Sequence, residues 1–157
     1  MSALSFADFY ALQWSDVAGY SAALVGSALV GDEIAQEAFV RLYARYPLIR
    51  EPRPYVFRIA SNLARRHRGA TAEAPLEWAP EGSAPSEATG IRAELLDAVR
   101  RLPVRLRAVV LLHYYVDLPV DEVAHVLRRP VGSVKRQLAE ARTALALALS
   151  DPSGGPA

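Results

Sequence analysis

Apolar residues recur at three- and four-residue intervals along most of this chain, the spacing that lines one face of an α-helix. The clearest case is residues 119–145. Val120, Val123, Ala124 and Leu127 form one stripe, and Val131, Val134, Leu138, Ala141 and Leu145 form a second. Arg128-Arg129-Pro130 interrupts the period, and a proline there ends the first helix and pre-sets the backbone of the next. The second helix turns Ser133, Arg136, Gln137 and Glu140 away from its apolar side, with Lys135 and Arg142 on its flank. A short helix, a tight turn and a basic polar helix describe a helix-turn-helix whose second member reads duplex DNA.

The same reading predicts helices over residues 5–69. Phe6, Phe9, Tyr10, Gln13 and Trp14 open an amphipathic segment, and a second apolar stretch runs from Val17 to Val30. Gly31-Asp32 reads as a break before a helix from Glu33 to about Tyr46. Its expected core positions are Ile34, Ala38, Leu42 and Tyr46, with Phe39 and Tyr43 widening the stripe. Three prolines between Pro47 and Pro54 predict a loop. A helix then runs from Pro54 to about His67, with proline favourably placed in its first turn. Its core face is expected at Val56, Ile59, Ala60 and Leu63. Tyr55, Arg58, Asn62 and Arg65 share another face, with Arg66 beside them.

Residues 70–90 have no sustained period, and their Pro, Gly, Ser, Ala and Glu content predicts a flexible linker. Helices resume near Ile91, with Leu95, Leu96, Val99 and Leu102 on one side. Pro103 interrupts, and Val104 to Val116 is predicted as one further helix. Residues 150–157 read as a disordered tail. The fold class is therefore all-α: two small helical domains, 1–69 and 91–149, on a tether.

Composition narrows the function. There is no Cys, hence no disulfide framework and no thiolate metal site. No signal-like segment opens the chain, and no apolar run approaches the ~20 residues that span a bilayer. These features point to a cytoplasmic protein. The net charge of +1 is unremarkable, but its distribution is not. Residues 1–69 hold eight Arg against six acids, a net +2; residues 70–90 hold four Glu and no base; residues 91–157 hold nine Arg and one Lys against seven acids, a net +3. Two basic blocks flank an acidic connector.

Tyr55, Arg58, Asn62 and Arg65 combine an aromatic, an amide and guanidiniums, which stack on bases, bond their edges and neutralise phosphates, as in proteins that hold single strands. The same stripe also fits an ordinary solvated face. Asp121 and His125 share a helix face at metal-ligand spacing, but with only His113 nearby they read as surface residues. No nucleophile–base arrangement, Gly-rich phosphate loop or paired-carboxylate context stands out, so no catalytic residue, metal or cofactor is predicted.

The two halves together resemble bacterial sigma factors of the extracytoplasmic-function (ECF) group of the sigma-70 family. Gly31 to Leu42, with its Gln36-Glu37-Ala38-Phe39 core, looks like region 2, as does Arg50 to Arg65. Leu102 to Leu112 with Tyr114-Tyr115 looks like the start of region 4, and Arg129-Pro130-Val131-Gly132-Ser133-Val134-Lys135 like the start of its recognition helix. The resemblance covers most of residues 5–147.

It implies a division of labour. Region 2 docks on a coiled coil of core RNA polymerase and captures the melted non-template strand of the −10 element. Region 4 reads the −35 element as duplex, and the linker threads the polymerase toward the RNA exit path, its acidity mimicking nucleic acid in a basic channel. Carried over to this chain, Asp32, Glu33, Gln36, Glu37 and Arg41 form the polymerase-docking face. Arg50 to Arg53 help to form a pocket for a flipped −10 base, with Asn62 at its rim. Tyr55 faces the melted strand, and Arg58, Arg65 and Arg66 hold phosphates. In region 4, Arg136 suits guanine and Gln137 suits adenine, with Ser133 on the same face, while Lys135 and Arg142 suit backbone.

Four positions depart from the family pattern. Tyr55 stands where Trp is commoner, Arg128 where Gly is frequent, Glu140 where a base is frequent, and Pro119 where Ser or Thr usually caps a helix. Leu112, Tyr114 and Tyr115 read either as core or as a surface for the polymerase flap or an inhibitory anti-sigma factor. The partners implied are core RNA polymerase, promoter DNA and an anti-sigma factor. Two other readings remain open: a stand-alone helix-turn-helix regulator, and a decoy that binds polymerase without initiating.

Overall fold

A computed structural model describes residues 4–70 and 91–150. The expected linker over 70–90 and tail over 150–157 lie, but for residues 70 and 150, outside the described residues. Every regular element among the described residues is helical, and the chain divides into two compact units, one on each side of residues 71–90.

In the first unit, α1 (Phe6–Val25) and α2 (Ala28–Arg45) are followed by a 3₁₀ turn (Tyr46–Leu48) and α3 (Pro52–Ala70). The three α-helices pack pairwise on one another. Ser5 caps α1 by accepting from the Asp8 amide, and Ser27 caps α2 by accepting from that of Val30. Between them Gly26 takes a left-handed conformation at φ 81°, and the Gly26 and Ser27 amides both donate to the Ala22 carbonyl.

The helix break thus falls at Gly26, not at the expected Gly31-Asp32. Gly31 is buried within α2, and a Cβ built on it would lie 2.5 Å from the Cα and N of Ala22. Its role is close helix packing, which sequence punctuation does not distinguish from a turn. The core of the unit holds Phe9, Val17, Tyr20, Leu24, Ile34, Ala38, Phe39 and Leu42.

From α3 the core receives Val56, Phe57, Ala60, Ser61 and Ala64. The expected Ile59 and Leu63 are only half-buried, so the true core face is rotated toward Phe57 and Ser61. That rotation is stabilised by a buried polar chain. Ser61 Oγ donates to the Phe57 carbonyl at 2.7 Å and therefore accepts from Tyr20 Oη, also at 2.7 Å. Tyr46, expected in the core, instead closes one end: its ring lies 5.4 Å from that of Phe6, and its hydroxyl donates to the Leu4 carbonyl. Tyr43 is exposed but rests edge-on against Phe6 at 4.9 Å.

The second unit contains α4 (Ile91–Arg101), α5 (Val104–Val110), a five-residue π-turn (Leu111–Tyr115), α6 (Val120–Leu127) and α7 (Val131–Ser150). α4, α5 and α6 all pack on α7, and Val99, Leu102, Leu106, Val109, Leu112, Val123, Val134 and Leu138 form the core. Leu95, expected on the core side of α4, is exposed, and Leu96 is half-buried.

The single helix predicted from Val104 to Val116 loosens at Leu111, whose carbonyl accepts from the Val116 amide five residues on. The wider turn lets Val116 and Leu118 both return to the core, with Asp117 left-handed at φ 65° between them. Leu112 belongs to the core, Tyr115 is half-buried and Tyr114 is exposed.

Candidate nucleic-acid interface

The helix-turn-helix is built around a non-glycine left-handed residue. Arg128 sits at φ 55°, ψ 48°, and its amide donates to the His125 carbonyl, while the Arg129 amide reaches back to that of Ala124. A Cβ in this region costs on the order of 1 kcal/mol where glycine costs nothing. Pro119 precedes α6 without a side-chain cap, and Asp121 and Glu122 in the first turn complement the helix dipole instead. Val123, Ala124, Val126, Val134, Leu138 and Ala141 bury the inner faces of α6 and α7. The outer face of α7 follows from that burial.

On that face Lys135, Arg136 and Arg142 are exposed, and Ser133 and Gln137 are half-buried. All five predicted duplex-contact residues thus fall on the accessible sides of one helix. Arg136 Nη2 donates to Ser133 Oγ at 3.2 Å, and Arg142 Nε donates to Tyr114 Oη at 2.8 Å. Arg129 Nη1 donates to Gln137 Oε1 and to the Arg105 carbonyl, each at 2.9 Å.

Glu140 is held by Arg105 in a two-pronged ion pair, 3.0 Å from Nη2 to Oε1 and 3.3 Å from Nη1 to Oε2. The hydrogen bonds from Arg105 hold the Glu140 carboxyl below its ordinary range, and the same pairing raises Arg105. The negative charge that stands on α7 where a base is frequent is therefore offset within the protein. Arg105 and Arg129 were not among the sequence-predicted residues, because their partners lie 35 and 8 positions away.

In the first unit Asp32, Glu33, Gln36, Glu37 and Arg41 are all exposed on α2, opposite the buried Ile34, Ala35, Ala38 and Leu42. Glu37 and Arg41 pair at 3.1 Å, while Leu29 and Val40 add exposed apolar surface to the same helix. The face mixes charge with apolar area.

The predicted strand-binding stripe is also brought together, with one shift. α3 starts at Pro52, so Arg53 lies in its first turn rather than in the loop that holds exposed Arg50. Arg53 Nε donates to Gln13 Oε1 at 3.2 Å, and its guanidinium lies 5.9 Å from the Phe57 ring centre. Tyr55, Arg58 and Asn62 are half-buried, Arg65 and Arg66 are exposed, and Arg65 Nη2 donates to Asn62 Oδ1. The Nε of Arg58 is enclosed and has no hydrogen-bond partner.

No group of three or more His, Cys, Asp or Glu able to hold a metal occurs among the described residues, and Asp121 and His125 are both exposed. No helix among them is long and apolar enough to cross a membrane.

Comparison with known proteins identifies the family. Residues 92–145 match the family "Sigma-70, region 4". The ferric citrate uptake sigma factor FecI of Escherichia coli is 31% identical over 152 residues, covering 89% of this chain and 88% of that protein. The ECF RNA polymerase sigma factor SigW of Bacillus subtilis is 28% identical, covering 82% and 80%. Among solved structures, the sigma factor RpoE of Bartonella quintana, bound to the anti-sigma factor NepR, has the same fold with a TM-score of 0.71 at 14% identity, over 94% of this chain and 98% of that one. CnrH, in complex with the cytosolic domain of CnrY, superposes with a TM-score of 0.66 at 22% identity, over 92% and 86%. The chain belongs to the ECF group of the sigma-70 family of RNA polymerase sigma factors, non-enzymatic proteins that bind RNA polymerase for transcription initiation.

Proposed function

We propose that this sigma factor divides promoter recognition between its two units. Residues 1–69 dock on core RNA polymerase and capture the melted −10 strand, residues 91–149 read the −35 duplex, and residues 70–90 connect them. The observation that carries the reading is the outer face of α7. Lys135 and Arg136 stand exposed just after a tight left-handed turn, and Val134, Leu138 and Ala141 commit the opposite side of the helix to the core, although Val131 of the expected stripe is exposed and Leu145 half-buried. That is the arrangement by which a recognition helix enters a major groove.

The exposed face of α2, with Asp32, Glu33, Gln36, Glu37 and Arg41, takes the polymerase. Its charges steer and orient the encounter, and the exposed Leu29 and Val40 contribute apolar area to the contact. On α3, Arg58, Arg65 and Arg66 neutralise phosphates of the single strand, and Tyr55 offers a ring for stacking. Asn62 and Arg53 border the pocket for a flipped base, and Arg50 approaches from the preceding loop. Flipping costs a few kcal/mol of stacking, which contacts in such a pocket recover.

In the second unit Arg136 reads a base edge, while Lys135 and Arg142 hold backbone. Tyr114 orients Arg142 through its hydroxyl. The protein acts in the cytoplasm, where its polymerase is, and an anti-sigma factor restrains it there. The complexes of RpoE with NepR and of CnrH with CnrY support that last assignment.

The test is reconstitution with core RNA polymerase and transcription from a genomic promoter pool at stated salt. Transcripts sharing two upstream motifs are expected. A shift of duplex DNA by the protein alone, with no polymerase binding, would instead make it a stand-alone regulator.

A further inference from the structure

The reading face of α7 has an unusual asymmetry between donors and acceptors. A glutamine and a glutamate on a recognition helix ordinarily bring acceptors to the groove: glutamine pairs with adenine by accepting from N6 while donating to N7, and glutamate accepts from cytosine N4. In this protein those oxygens are already engaged from behind. Gln137 Oε1 accepts from Arg129, whose same nitrogen is anchored on the Arg105 carbonyl of α5. Both carboxylate oxygens of Glu140 accept from the side chain of Arg105. Ser133 Oγ accepts from Arg136.

What these residues still offer outward is donor hydrogen: the Gln137 amide N–H groups, the Ser133 hydroxyl proton, and the remaining N–H groups of Arg136, with Lys135 beside them. Each engaged oxygen keeps a second lone pair, but an oxygen already bonded to a guanidinium is a poorer acceptor for a base amine. The guanidinium also brings positive charge next to the place where that amine would sit.

We propose that Arg105 and Arg129 act as positioning residues that turn the α7 face into a donor-only reader. On the strand it contacts, this face selects the acceptor-bearing edges of guanine (N7, O6) and thymine (O4) and discriminates against adenine and cytosine, whose distinguishing major-groove groups are donors. Gln137 therefore does not make the two-bond contact to adenine that its identity suggests. Arg129 directs its amide nitrogen, and Arg105 withdraws Glu140 from the code. The proposal rests on the reading that α7 contacts the −35 duplex.

The two arginines act on different oxygens, so their effects separate. Arg105→Met removes the partner of Glu140 but keeps the backbone carbonyl that anchors Arg129. Arg129→Met frees Gln137 Oε1 and leaves the Arg105–Glu140 pair in place. Holoenzyme carrying each variant is selected on a promoter library randomised across the −35 element. Gln137→Ala and Glu140→Ala serve to locate the base positions that each side chain affects.

Wild-type holoenzyme is expected to enrich guanine or thymine at those positions. Arg129→Met should raise adenine at the Gln137 position, and Arg105→Met should raise cytosine at the Glu140 position, each by about fivefold or more, the ratio expected of a good direct base contact. Wild-type enrichment of adenine or cytosine there, or unchanged preferences in both methionine variants, overturns the donor-only face while leaving a −35-reading sigma factor intact. Transcription indifferent to the −35 sequence in wild type overturns both readings. Because Arg105 is exposed and its variant leaves the core untouched, a folding defect in Arg129→Met would still leave the cytosine arm to decide.

Discussion

Replacing Gly31 by Ala should destabilise the first unit even though alanine is the better helix former. In a helix interior the exchange gains ~1 kcal/mol of propensity. Against that, the added Cβ would lie 2.5 Å from Ala22 Cα and N and 2.7 Å from its Cβ. Two of those three atoms are backbone, so no side chain can swing away and α1 must move from α2. Overpacking of this kind costs typically ~1–3 kcal/mol and more where the backbone is the obstacle. Taking ~3 kcal/mol for such an obstacle, the net expectation is a loss of ~2 kcal/mol, roughly a thirtyfold rise in local opening. The same exchange at Gly132 provides the control. A Cβ there meets only Arg136 Nη1 at 3.9 Å, so the second unit should hold or gain stability. Hydrogen exchange of the full chain, read separately for the amides of α1–α2 and of α7, measures both. Unchanged or slower exchange of α1 and α2 in Gly31→Ala would refute the close-packing argument.

Three further outcomes are expected. Arg136→Ala should lower −35-dependent transcription and relax one base position by ~1–3 kcal/mol, whereas Lys135→Ala should weaken all promoters alike and flatten the salt dependence; identical sequence-dependent losses would show the two roles wrongly sorted. Asn62→Ala should slow promoter opening, followed by permanganate reactivity of unpaired thymines, more than it weakens the closed complex. Equal effects on both steps would remove Asn62 from the flipped-base pocket. Finally, the Glu140 carboxyl is depressed by Arg105, so this pair stabilises the fold above the ordinary carboxylate pKa of 4.5 and loses that contribution as pH falls through the lowered value. Titration followed by NMR should show Glu140 moving upward in Arg105→Met, and an ordinary value already present in wild type would exclude the pairing in solution.

The elements that were legible in the sequence are those whose signals are local. Arg128-Arg129-Pro130 marked the turn of the helix-turn-helix because proline and a lapse in apolar spacing fall together, and the burial of Val134, Leu138 and Ala141 follows the stripe. Gly31 was misread because a glycine that permits close packing and one that ends a helix look alike without the neighbouring helix. The core face of α3 was misjudged for a related reason. Ile59 and Leu63 outrank Phe57, Ser61 and Ala64 only if serine and alanine are discounted, and here the small residues admit α1. The π-turn at Leu111 leaves no mark in composition. On the candidate site, the outward side chains of α7 were readable from periodicity. The arginines that engage them from α5 and the turn were not, because those pairings exist only once the helices have packed.

The Tyr20–Ser61–Phe57 chain bears on a weakness of any alanine-rich bundle. Ala18, Ala22, Ala23, Ala35, Ala38, Ala60 and Ala64 make shallow, similar surfaces, which by themselves discriminate weakly against a slip of one helix past another by a turn. A hydroxyl does not tolerate that slip. Displaced by one turn, the fully buried Tyr20 would lose its bond to Ser61, and a buried hydrogen bond broken in this way costs ~1–3 kcal/mol. Of the two short bonds, the one within α3 aims Ser61 and the one from Tyr20 crosses to it, and together they act as a detent between α1 and α3. They contribute less by adding stability than by making neighbouring alignments untenable, and so fix which residues of α3 are left facing solvent as the stripe from Tyr55 to Arg66.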